Sequence, residues 1–442
     1  MTRIIIILLC LIFAHSSTAF LKRDAPVFTT QEIATLKNNF LANFTEHGAI
    51  LASPSNTTPN YYYDWIRDSA IAMGLIADWY ESYEQNENKL KLMHYVSWTK
   101  KIQQQTSPNP GQPILGEPKF NLDGTPYAGP WGRPQNDGPA LRALALIHFA
   151  NVLLTHKDVA YVHSNLYAGG LDPRTMGVIK IDLEYIAHHW RDKNFDLWEE
   201  VDGHHFFTEM VQRKALLAGA QLARVRHDTD AADYYDKQAQ LIETHLFEYI
   251  DLQTHLIRAT LQPHPGPQKN LELDSAVILG VLLGNAADPV FAANNAYVRN
   301  TVVALKKQFK ASFPINNSNQ NVILFGRYPG DTYDGYRTDS VGNPWFILTA
   351  AIAEYYYTEA NLLPQTSENS QRIEDYMTQG DDYLRLIKHY APNLSMKEQI
   401  NLNSGEQQGA ESLTWSYVAV LRAIEARQWL LNKLIMQHPD EE

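Results

Sequence analysis

Apolar residues recur along most of this chain at spacings of three and four, the mark of helices with one face turned inward. Thr29-Thr30-Gln31-Glu32 offers a capping box, and Ile33, Leu36, Phe40, Leu41 and Phe44 follow it at helical spacing. In 205–226, Phe206, Phe207, Met210, Val211, Ala215, Leu216, Ala218 and Leu222 mark a broad apolar stripe. Further helical patterns lie near 68–85, 88–105, 137–156, 176–190, 229–246, 273–284, 289–310, 343–358, 367–390 and 409–433, giving about twelve helices in all. Between them run loops dense in Pro, Gly, Tyr and Trp, over 106–136, 157–175, 191–204, 247–270, 311–342 and 391–408. Loops of that length inside a compact domain usually carry function. Residues 256–261 and 321–324 are candidate short strands. No linker or compositional break divides the chain and no sequence repeat is evident, so 20–442 is expected to form one all-α domain.

The N-terminus interrupts this pattern. Arg3, an apolar run over 4–14 and Ser17-Thr18-Ala19 read as a secretory signal over 1–19, too short for a comfortable membrane span. Cys10 is the only cysteine and would leave with that segment, so the mature chain is expected to have neither a disulfide nor a thiol nucleophile. Loss of Arg3 takes the formal charge from −12 to −13, a poor balance for nucleic acid or anionic membrane surfaces. The expected product is an exported, soluble monomer. Asn43, Asn56, Asn316 and Asn393 open glycosylation acceptor patterns. The chain also holds 9 Trp and 24 Tyr, enough to supply stacking platforms for flat ligands and sugar rings as well as core packing.

The densest chemistry lies in Asn194-Phe195-Asp196-Leu197-Trp198-Glu199-Glu200-Val201-Asp202-Gly203. If Asp196 opens a helical turn, Glu199 and Glu200 share its face. Crowded carboxylates beside an indole raise the pKa of at least one of them, which is what a general acid requires. The alternative is a capping box ahead of an ordinary helix. Four other stretches stand out: Tyr61-Tyr62-Tyr63-Asp64-Trp65-Ile66-Arg67-Asp68; 119–138, including Trp131-Gly132-Arg133-Pro134-Gln135-Asn136-Asp137-Gly138; Arg327-Tyr328-Pro329-Gly330-Asp331-Thr332-Tyr333 on to Trp345; and Met396-Lys397-Glu398-Gln399. Each ends just before a helical pattern, which would gather them at one end of a helical array. Arg67 and Asp68 suit paired sugar hydroxyls, or else pair with each other. Trp65, Trp131 and Trp345 serve as sugar platforms or as core. His188-His189 and His204-His205 lack a third ligand at metal spacing, and there is no phosphate loop, dinucleotide fingerprint or serine elbow. No metal and no cofactor is expected.

Taken in order, these motifs resemble the glucoamylases of glycoside hydrolase family 15, in their fungal-type catalytic domain. The likeness runs from Leu51-Ala52-Ser53-Pro54-Ser55 to Leu413-Thr414-Trp415-Ser416-Tyr417, and is most specific at 132–143 and 196–203. It implies an (α/α)6 barrel of six helical hairpins, with a pocket at one end that removes single glucose units from α-glucan chain ends with inversion. By position it implies Glu199 as general acid, Glu398 as the base that activates water, and Asp196 as a support for the acid. Arg67, Asp68, Trp131, Glu200 and Arg327 fall where the terminal glucose is held, with Tyr61, Trp65, Lys119, Leu197, Trp198 and Trp345 around them. Three departures stand out: no disulfides, no starch-binding module, and extra residues over 334–341. The competing readings are an exo-enzyme for isomaltose-type glucans and a non-catalytic glucan-binding protein on the same scaffold.

Overall fold

The computed structural model describes residues 25–172, 174–263, 272–318 and 322–437; the signal-like segment lies outside them. Twelve helices of nine residues or more follow one another: α1 (Thr30–Leu41), α2 (Ile66–Tyr83), α3 (Asn86–Gln103), α4 (Asp137–Thr155), α5 (Gly177–His189), α6 (Phe206–Val225), α7 (Thr229–Leu246), α8 (Ala276–Gly284), α9 (Ala296–Ser312), α10 (Phe346–Leu362), α11 (Ser370–Tyr390) and α12 (Thr414–Gln437). A helical turn at Val159–Leu166 and short strand pairs fill the connections.

The even-numbered helices pack side by side as a closed ring, α2 on α4, α4 on α6, and so on until α12 returns to α2. The odd-numbered helices pack outside it: α3 on α2, α5 on α4, α7 on α6, α9 on α8, α11 on α10 and α1 on α12. This is an (α/α)6 barrel. Sequence explains which helix goes where. An inner helix is covered on nearly every side, so it must be apolar nearly all round. Ala276-Val277-Ile278-Leu279-Gly280-Val281-Leu282-Leu283-Gly284 forms the whole of α8, and α4 buries Leu141, Leu146, Ile147, Phe149 and Leu153. Outer helices keep a single stripe, as α11 does with Ile373, Met377, Leu384 and Ile387. Among the described residues α4 alone is long and apolar enough to cross a membrane, and most of it is buried within this ring.

The local signals act as their chemistry requires. Thr29 and Glu32 close the capping box that starts α1. The Asn295 side chain accepts the Tyr297 N–H and begins α9 at Ala296, seven residues after the expected start at 289. The candidate strand at 256–261 is two short strands, Leu256–Ile257 paired with Ile250–Asp251 and Thr260–Leu261 paired with His204–His205. Residues 322–324 form no strand: the Leu324 N–H goes to the Asn316 side chain rather than to a partner strand. Residue 321 lies outside the described residues. Two of the four glycosylation patterns are also spent on structure. Asn43 donates to Ser412 O and Thr414 Oγ1, and Asn316 donates to Phe309 O and Leu324 O, both from buried positions. A glycan could not be placed on either.

Candidate active site

At one end of the ring, where the inner helices begin, the connections enclose a cavity of about 440 Å³. Two antiparallel strands, Asp64–Trp65 and Lys119–Phe120, set Trp65 opposite Lys119 at its edge. Helix α2 then starts, and its first turn carries Arg67 and Asp68. The Lys119 ammonium lies in an aromatic cage, 4.8 Å from the Tyr63 ring centre, 4.4 Å from Trp65, 4.2 Å from Tyr127 and 3.1 Å from Trp131. Burial pushes it down to about 8, with Glu199 acting in the opposite sense.

The carboxylate-rich stretch is not a helical turn. Asn194–Phe195 and Asp202–His205 pair as a hairpin, and 196–201 is its loop. Asp196 Oδ1 accepts the N–H of Glu200 at 2.8 Å and of Val201 at 2.9 Å, while the Asp196 carbonyl accepts the Glu199 N–H at 2.8 Å. Glu199 is thereby forced into the left-handed region, φ +66°. Asp196 spends its carboxylate inside this loop and does not line the cavity, whereas Leu197, Trp198, Glu199 and Glu200 do. The shared helical face gives way because Asp196 bonds the loop backbone in place of helical carbonyls.

Glu199 Oε1 accepts from the Trp65 indole at 2.7 Å and from Arg67 at 3.4 Å; Oε2 accepts from the Trp131 indole at 2.7 Å. Arg67 reaches Gln135 at 3.1 Å, Asp137 at 3.3 Å and Asp68 at 3.4 Å. Burial pushes Asp68 up to about 6 against the pull of Arg67. Buried Arg67 Nε, Asp68 Oδ2 and Trp345 Nε1 have no hydrogen-bond partner among the described residues. Such atoms are costly to leave without a hydrogen bond, although Asp68 Oδ2 keeps its ion pair with Arg67.

The opposite wall is built from the connection before α10. Arg327 grips Asp331 with two bonds, 2.8 and 2.6 Å, and meets Glu200 at 2.8 Å. Tyr328 donates to Glu200 at 2.7 Å. Trp198 donates to Asp274 at 2.9 Å and packs 5.9 Å from Trp345. Glu398 arrives from a third connection, just ahead of the strand pair Gln399–Ile400 and Gln407–Gln408. It is fully buried, its N–H bonds Ala410 O at 2.9 Å, and Tyr61 donates to Oε1 at 2.8 Å. Burial pushes it up to about 7, opposed by Tyr61, the Ala410 N–H, Arg327 and Tyr333.

Of the fourteen residues singled out from sequence, Arg67 and Asp68 lie in the first turn of α2 and the other twelve in these connections, and all but Asp196 line this cavity. Sequence reasoning passed over Tyr63, Tyr127, Tyr333 and Trp415, which also line it. The first three sit in stretches already singled out; Trp415 lies at the start of α12, in the Leu413–Tyr417 motif that bounds the family likeness, but was given no site role. No group of three His, Cys, Asp or Glu among the described residues is placed to hold a metal ion.

Known proteins resemble this chain in sequence and fold. The family model for glycosyl hydrolases family 15 matches residues 31–425. A glucoamylase of Blastobotrys adeninivorans is 33% identical over 95% of this chain and 74% of its own length. A probable glucoamylase of Schizosaccharomyces pombe is 34% identical over 86% of this chain and 85% of its own. The solved glucoamylase of Saccharomycopsis fibuligera superposes with a TM-score of 0.82 at 29% identity, covering 91% of this chain and 95% of that one. With an (α/α)6 barrel, one acid-lined cavity at its end and this degree of likeness, the chain belongs to glycosyl hydrolase family 15 and is a glucoamylase-type glycoside hydrolase.

Proposed function

We propose that the enzyme removes single glucose units from the non-reducing ends of starch, glycogen and maltodextrins, inverting the anomeric carbon. The observation that supports this most directly is the meeting of Glu199 and Glu398 in one end-closed cavity from connections almost 200 residues apart. Two acids so placed can act from opposite sides of a sugar, with room for water between them. Glu199 and Glu200, as chain neighbours, cannot.

In this reading the terminal glucose sits against Arg67, Asp68, Glu200 and Arg327, with Trp65, Trp131, Trp198 and Trp345 as its apolar walls. Glu199 Oε1 is held by Trp65 and Arg67, which leaves Oε2, bonded to the part-exposed Trp131 indole, as the oxygen placed to pass a proton to the substrate. That proton passes to the glycosidic oxygen as the C1–O bond breaks. Glu398 takes a proton from water as the water oxygen bonds to C1 from the other face. The products are β-glucose and a glucan one unit shorter, and the proton on Glu398 returns to Glu199 through solvent. An end-closed cavity suits exo attack because only a chain end can enter it. Links of the α-1,6 type would be cut more slowly. We further infer that residues 20–442 act as one exported catalytic domain after loss of 1–19; N-terminal sequencing of the secreted protein checks the cleavage point.

The test is maltoheptaose hydrolysis followed by proton NMR from the first minutes. Early β-glucose, ahead of mutarotation, is the expected result; early α-glucose would remove the water-activating role of Glu398. Glu199→Gln should lower kcat by two orders of magnitude or more, roughly the worth of general acid catalysis, with glucan binding retained.

A further inference from the structure

Tyr333 and the glycine pair behind it converge on Glu398 from a side that the acid–base reading does not use. The Tyr333 hydroxyl lies 3.0 Å from the Tyr61 hydroxyl and 3.3 and 3.5 Å from the two Glu398 oxygens. Tyr61 has one proton, and its 2.8 Å bond to Glu398 Oε1 takes it. The Tyr333 proton must then point at the Tyr61 oxygen or at the carboxylate, and either choice strengthens the donation to Glu398. The Tyr333 ring is itself fixed. Its N–H bonds Asp331 Oδ1 at 2.9 Å, Arg327 lies 5.2 Å over its face, and Trp345 packs 6.2 Å away.

The residues directly after it close on the same acid through the backbone. Gly335 has φ +91°, and a methyl group there would stand 2.8 Å from the Cα of Gly409. Gly409, at φ +81°, is pressed in turn against the Glu398 side chain, leaving no room for a Cβ. Gln408 and Asn343 both donate to the Asp334 carbonyl between Tyr333 and Gly335, and Asn343 also donates to Gln399 at 3.0 Å. The start of the 334–341 addition is thus bolted to the loop that carries the base, while its tip (Tyr336 to Val341) stays exposed and only Thr338 reaches the cavity.

We propose that Tyr333 is a positioning residue for Glu398, and that the 334–341 addition serves the base through the Gly335–Gly409 contact. The proposal rests on Glu398 being the base. The groups that face Glu398 are Tyr61, Tyr333, Arg327 and the Ala410 N–H. Each of these favours its ionised form, so loss of the Tyr333 phenol raises its pKa. A base must be ionised, so the acid-side limb of the pH profile moves to higher pH.

The test is Tyr333→Phe with maltose and maltoheptaose. Expected are a fall in kcat of about tenfold, the worth of one hydrogen bond to a charged group, a KM within about twofold of wild type, and an acid limb of kcat/KM moved upward. Gly335→Ala, which leaves every side chain of the cavity in place, should lower kcat in the same KM-neutral way. In a Glu398→Gln background Tyr333→Phe should cost little more, because the group it orients is gone. A raised KM with an unmoved pH profile would make Tyr333 a sugar contact and overturn the proposal, and so would a full additive loss in the Glu398→Gln background. Near-normal turnover of Glu398→Gln alone would instead remove the base assignment, and this proposal with it.

Discussion

Glu398 carries the cost of burying a carboxyl group in the fold. It is an ordinary loop glutamate by residue type, and nothing within its own sequence neighbourhood marks it. Its importance lies in being fully buried, with its pKa raised to about 7 by that burial. A carboxyl whose folded pKa exceeds its unfolded value contributes stability that is full below about 4.5 and is lost as pH rises through about 7. Glu398→Gln has no charge to desolvate. It should therefore melt close to wild type at pH 4 and later than wild type at pH 8, by an amount on the order of 3 kcal/mol at the alkaline end. Differential scanning calorimetry at both pH values checks this; an equal gain at both would mean that charge burial is not the cause. Asp196 was expected to support the acid rather than to line the cavity, and its carboxylate braces the Glu199 loop through two backbone N–H groups, from a hairpin loop and not from the helical turn first considered. Five residues are too few for spacing to separate a helical face from a hairpin loop, so that choice was not legible in sequence.

Elements were more legible than residues. Every inner and outer helix was foreseen, because a helix packed against neighbours needs apolar residues at a 3.6 period or all round. What escaped were the ends. The start of α9 is set by one Asn295 side chain, and the two-residue strands at the cavity owe their existence to the connections they join rather than to any alternation of their own. That the five chemical stretches meet was legible only from their shared position ahead of helices; the aromatic cage around Lys119 was not, since it draws on Tyr63, Trp65, Tyr127 and Trp131 from two connections. Helix α4 gives a clean test of the inner ring. Leu146 is fully buried there, and Leu146→Ala should cost about 2–5 kcal/mol through lost burial and the cavity left behind. Urea melts measure it, and kcat at 25 °C should hold, because Leu146 lies along the helix and away from the cavity.

At the scale of the whole molecule, the two layers are tied by arginine–carboxylate pairs running from inner to outer helix. Arg142 on α4 holds Asp182 on α5 at 2.6 and 2.7 Å, Arg213 on α6 holds Glu243 on α7 at 2.6 Å, Arg299 on α9 holds Glu359 on α10 at 2.6 Å, and Arg427 on α12 holds Asp381 on α11 at 2.7 Å. The first pair is wholly buried. Removing one member strands a charge, so Arg142→Leu should cost about 3–5 kcal/mol. Arg142→Leu with Asp182→Leu should recover most of that loss, and thermal melts of the two variants decide between charge stranding and lost packing.

The seam that closes the ring has a consequence in time. Residues near the start of the chain bond residues near its end: Asn39 to Leu394 O, Asn43 to Ser412 O and Thr414 Oγ1, and the Thr414 N–H to Ala52 O. A ribosome adding about 5–20 residues per second needs roughly 20 to 80 seconds to reach this last helix. For about half of that interval the nascent chain holds Glu199 but not yet Glu398. The ring therefore cannot close until α12 has been made and can dock on α1 and α2.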